Sequence, residues 1–97
     1  MRDPRLGQLA EIMVGRSLNV KKGDTVIIRS TYEARPLVDE CYKAIVARGA
    51  TPFLDLIVHD HSRILVDLGS DEQHARVNEL KLALYEKADC FIIYFSL

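Results

Sequence analysis

The chain has 97 residues, 48% of them apolar and 28% charged, with 13 basic side chains against 14 acidic ones. That length holds one hydrophobic core and leaves no room for a second, and the apolar share excludes a disordered chain. A formal charge of -1 supplies no broad field for a nucleic-acid backbone or an anionic membrane surface.

The chain opens on Asp3-Pro4, where a carboxylate can cap a helix and proline at the first helical position loses nothing. Leu6, Leu9, Ala10, Met13 and Val14 then recur at helical spacing, which predicts a helix to about Ser17. After a polar turn from Asn19 to Asp24, the β-branched run Thr25 to Arg29 reads as the first strand. Pro36 opens a second helix whose buried edge is marked by Leu37, Val38, Cys41, Ile45 and Arg48, and Gly49 supplies its left-handed stop. Thr51 to Val58 reads as the second strand, and His61 to Leu68, with Ile64, Leu65 and Leu68 along one side, as a short helix. Ser70 and Gln73 have the spacing of a capping box, with Asp71 and Glu72 in the first turn where the helix dipole favours negative charge. Val77, Leu80, Leu84 and Ala88 give that helix an inner face, and Cys90 to Phe95 reads as the third strand.

Strands two and three are nearly continuous in apolar residues, the pattern of strands covered on both faces. The expectation is therefore an α/β domain of three layers, a small, mostly parallel sheet in the order 2-1-3 with helices on both faces, flavodoxin- or Rossmann-like in outline. The chain ends as FIIYFSL, directly after a strand and without a covering helix. Residues 1–97 thus read as one α/β domain truncated after its third strand, the N-terminal fragment of a longer chain. Apolar surface around that strand would favour self-association.

Cys41 and Cys90 lie far apart, each in an apolar run and neither in a ligand-spaced pair, so both read as buried thiols of a reducing, cytoplasmic compartment. MRDPRLGQLAEIM has no apolar signal-peptide core, and no run approaches the length of a membrane span. A nucleotide cradle would need glycines between the first strand and the second helix, but that turn reads Ser30-Thr31-Tyr32-Glu33 and the five glycines never cluster. Ser30 and Thr31 could hold a small anion, although capping the second helix is their more ordinary duty. No GxSxG elbow occurs, and Cys41 on an inward helix face is packing material rather than a nucleophile.

All three histidines, His59, His61 and His74, fall in LIVHDHSRILVDLGSDEQH. His59 and His61 would share a side if the second strand continued through them, with Asp60 on the other. Two ligands are short of the three or four that zinc takes, His74 or Asp55 would have to close the site, and no HExxH spacing is present. These histidines are the candidate metal ligands, and the ligand count favours solvated loop residues instead.

The run DPRLGQLAEIMVGRSLNVKKGDTVIIRS, followed by EARPLVDECYKAIVARGATPFLDL, SDEQ and EKADCFIIYF, resembles the N-terminal part of the thermophilic metallo-aminopeptidases, the M29 leucyl aminopeptidases. The most specific pieces are Ser17 to Val26, Pro36 to Val38, Arg48 to Pro52 and Lys87 to Asp89, in that order. Arg16 departs from the pattern, which often has an aromatic residue before Ser-Leu. The resemblance implies a two-domain, dimeric, cytoplasmic exopeptidase that removes N-terminal residues from peptides with two divalent metals, zinc or cobalt. A bridging water would be its nucleophile and a glutamate its general base. Its metal ligands would lie in a C-terminal catalytic domain past Leu97, so the resemblance gives no catalytic, cofactor or metal role to any residue of this chain. The 97 residues would then be a scaffolding domain without activity of their own, with the C-terminal domain and a second subunit as partners. The other reading is a stand-alone regulatory or small-ligand-binding module that uses the crevice near Ser30, Thr31, Tyr94 and Ser96.

Overall fold

The computed structural model describes residues 4–94. Helix α1 spans Pro4–Glu11, continues as a wider π-helical stretch over Ile12–Ser17, and leads to strand β1 at Thr25–Thr31. A short 3-10 turn at Tyr32–Ala34 enters α2 at Arg35–Ala47, followed by β2 at Thr51–Ile57, α3 at His59–Leu68, α4 at Asp71–Glu86 and β3 at Cys90–Tyr94. The Asp3 cap and Phe95 at the predicted end of β3 lie outside the described residues. No helix among them is long and apolar enough to cross a membrane.

The sheet is parallel throughout, in the order β2-β1-β3, as the sequence predicts. The strand order places β1 at the centre, and Val26, Ile27 and Ile28 are sealed from solvent. Alternation along the strand sends Val26 and Ile28 to one face and Ile27 and Arg29 to the other. On the first face Val26, Ile28 and Ile92 join Ala10 and Val14 of the N-terminal helix and Leu37, Val38, Cys41 and Ile45 of α2 in one core. The predicted inward edge of α2 is thus correct except at Arg48. That residue follows the helix and is exposed overall, and its guanidinium donates to the Val20 carbonyl at 3.3 Å. Gly15 makes room for this clamp, since a Cβ there would collide with Arg48 Nη2. Gly49 has φ +77°, the left-handed stop that its position implies.

Three expectations are corrected by the ladder. β1 runs two residues beyond Arg29, because Ser30 and Thr31 pair in register with Leu56 and Ile57 of β2. Ser30 and Thr31 therefore do not cap the second helix: its N-cap is Ala34, without a side-chain bond. Strand β2 ends at Ile57, and α3 begins at His59 rather than His61.

The fourth correction concerns coverage. Continuous apolar runs in β2 and β3 predict burial on both sides, yet β2 has no buried residue, and Phe91 and Ile93 of β3 are 42% and 60% exposed. Both are edge strands of a three-stranded sheet, and α3 and α4 cover only part of the second face. Tyr85 packs edge-on against Phe91 with ring centroids 5.5 Å apart, and Leu65 and Val77 are half-buried. Ile64, Leu68 and Leu80, expected to face inward, are exposed. The start of α4 is as predicted: Ser70 Oγ accepts from the Gln73 backbone N–H at 3.2 Å, and Gln73 Oε1 accepts from Ser70 N–H at 2.8 Å. A cap of this kind contributes about 1 kcal/mol.

Candidate functional site

Helical backbone at His59 to His61 separates the two histidines by roughly 200° around the α3 axis, so they do not converge. Both are exposed. Asp55 lies on β2, where its carboxylate accepts a hydrogen bond from the Tyr85 hydroxyl at 2.8 Å. His74 is half-buried in the first turn of α4. Among the described residues no three His, Cys, Asp or Glu side chains form a group that could hold a metal ion. The donor set does not fit a two-metal centre, and no hydrolytic step is assigned to these residues.

The candidate nucleophiles are quiet. Cys41 is buried on α2, and burial, with the neighbouring Glu40 charge, pushes its thiol up to about 11. The half-buried Cys90 thiol is also raised, by desolvation first and then by Asp24 and Asp89. Thiols raised in this way are neutral at physiological pH and poor nucleophiles. Ser30 is fully buried, and its hydroxyl donates to the Thr31 carbonyl at 2.9 Å, which leaves no exposed hydroxyl for an anion. Ser96, the far end of the alternative crevice, lies outside the described residues.

Three of the four most specific segments of the family resemblance, Ser17 to Val26, Arg48 to Pro52 and Lys87 to Asp89, meet at the opposite end of the sheet, where the strands begin. Asp24 accepts the Lys21 N–H at 2.9 Å and closes the turn before β1. Its carbonyl takes the Thr51 N–H at 2.8 Å, while Gly23 N–H donates to the Gly49 carbonyl at 3.0 Å, so the starts of β1 and β2 are tied. Asp89 does the same for β3: its N–H donates to the Thr25 carbonyl at 2.8 Å, and its carboxylate accepts the Thr25 N–H at 2.8 Å. Glycine and aspartate are needed here for geometry, Gly23 at φ +88° and Gly49 at +77°, and for hydrogen bonding. They align three strands; ligands of parallel α/β sheets bind at the other end.

What sequence reading missed is a polar cavity of about 210 Å³ between the second sheet face and the α3–α4 pair, lined among others by Arg29, Asp55, His61 and Lys81. In the sequence Arg29 reads only as the end of a strand. An arginine within an apolar strand, three residues before a helical turn, is the signal that points to it.

A search of curated proteins finds no match to this chain. Residues 2–96 match the family model described as thermophilic metalloprotease, Peptidase_M29. The match spans essentially the whole sequence, and the chain belongs to the M29 family of metallopeptidases.

Proposed function

We propose that this chain is the N-terminal α/β domain of a metal-dependent aminopeptidase, a cytoplasmic, dimeric enzyme that removes N-terminal residues from peptides with two divalent ions, zinc or cobalt. In this reading the 97 residues are a scaffold that supports the catalytic domain and has no peptidase activity alone. The family match over residues 2–96 carries the proposal. Two features of the chain support the division of labour: the described residues offer no three-ligand group, and three of the four most specific segments of the resemblance tie the strand starts together. Catalytic zinc keeps three protein ligands and an open position, which this donor set does not provide.

The test is direct. The purified chain, incubated with leucine p-nitroanilide and added cobalt or zinc, is expected to give no release above the metal-only blank. Turnover that EDTA abolishes and that His61→Ala removes would place a metal centre in this chain and overturn the reading.

A further inference from the structure

We infer that the cavity beneath α3 and α4 is a binding site for a small aliphatic monocarboxylate. It lies at the C-terminal half of the strands. Arg29 and Asp55 are register partners on neighbouring strands, and alternation puts both side chains on the face that α3 and α4 cover. Among the described residues nothing accepts a hydrogen bond from the buried Arg29 Nε, although a buried guanidinium donor ordinarily has a partner. The hydrogen bond described at the Asp55 carboxylate comes from Tyr85 instead. Arg29 lines the cavity, and because its Nε is sealed from solvent, a ligand there would meet the guanidinium through its charge and terminal nitrogens rather than through Nε.

The charge of the wall selects the ligand. Arg29 and Lys81 supply two positive groups, Asp55 one negative group, and His61 stands at the same wall. A net charge near +1 suits a monoanion, and the Asp55 carboxylate repels the second charge of a phosphate dianion. Arginine in fork geometry matches a carboxylate. Leu65 and Val77 provide apolar lining for an aliphatic tail. A volume of about 210 Å³ equals the liquid share of roughly seven waters, enough for a carboxylate on a short branched chain. The carboxylate could belong to a free acid or to an aliphatic amino acid, whose ammonium group would meet Asp55.

The experiment is a titration of the isotope-labelled chain followed by amide chemical shifts at pH 7 and 150 mM salt. Probes are 4-methylpentanoate, leucine, inorganic phosphate and the uncharged 4-methylpentan-1-ol. The expected result is saturable movement of the Val58, Ser62 and Val77 amides with 4-methylpentanoate, and weak, non-saturating movement with phosphate and the alcohol. Tighter binding of leucine than of 4-methylpentanoate identifies an amino acid as the source of the carboxylate; the reverse order identifies a free acid. Arg29→Gln should weaken the preferred ligand about tenfold, as loss of a charge-assisted bond implies. Because Arg29 sits in the central strand, Lys81→Gln, at the rim of the cavity and exposed overall, serves as a second variant and should weaken binding about threefold. Saturable binding of neither carboxylate, or binding that both variants leave unchanged, or phosphate binding as tightly as the carboxylates would overturn the assignment.

Discussion

Ile28→Ala is expected to lower folding stability by about 2–5 kcal/mol, the range for removing a buried Ile side chain and leaving a cavity. Ile28 is fully buried at the middle of the central strand, beside Leu54 and Ile92 in register and within the core built on α2. Neighbours held by ladders on both sides cannot collapse into the space. A domain of this size has about 5–15 kcal/mol of stability, so the variant should lose a substantial part of it, read as a lower urea midpoint with an unchanged slope. Val66→Ala on α3, a position 68% exposed, is the control and should change stability by less than about 0.5 kcal/mol apart from helix propensity. Equal losses at the two positions would place the core elsewhere.

The second large effect is alkaline. The Cys41 thiol is raised from 9.0 to about 11, by burial first and by Glu40 second. A group whose folded pKa exceeds its unfolded value stabilises the fold fully below the unfolded pKa, and that contribution is lost as pH rises through the folded pKa. At pH 8 the thiol is neutral in both states. Between pH 9 and 11 the unfolded chain releases the proton while the folded one retains it, and stability falls by up to about 3 kcal/mol. Lysines and tyrosines titrate in the same window, so the measurement is the difference between this chain and Cys41→Val across pH 8–11 in urea. The native chain should lose ground to the variant only above pH 9; a constant gap would mean that Cys41 is not desolvated.

Sequence periodicity was informative wherever one local rule determined the outcome. The Ser70-Gln73 box, the Gly49 stop and the inward edge of α2 each depend on a few neighbouring residues, and the structure has all three apart from Arg48 at the end of that edge. The 2-1-3 order followed from apolar strands and the handedness of crossovers. Coverage did not follow, because apolar content indicates what a strand can bury and not what is present to bury it: Phe91 and Ile93 carry the right pattern and remain exposed. The sequence alone leaves His59 and His61 at a strand end, because the strand-to-helix boundary is set by where the ladder stops, at Ile57 opposite Thr31, and not by the residues themselves. Arg29 carries only a weak signal in the sequence, because the cavity it lines exists only when α3 and α4 pack on the sheet.

That folding-over is light. Neither α3 nor α4 contains a fully buried residue, whereas α2 contributes five to the core. Cooperative opening of a segment costs what its buried apolar contacts supply, so the α3–α4 pair should detach from the sheet at a lower free energy than the unit of β1, β2 and the first two helices. Amide protons of residues 59–86 would then exchange with solvent through a partial opening, and those of Val26 to Ile28 only through global unfolding. Away from the sheet a 16-residue helix is marginal even with its capping box, so the domain has two levels of persistence: a slow-exchanging N-terminal unit and a helical cover that opens first.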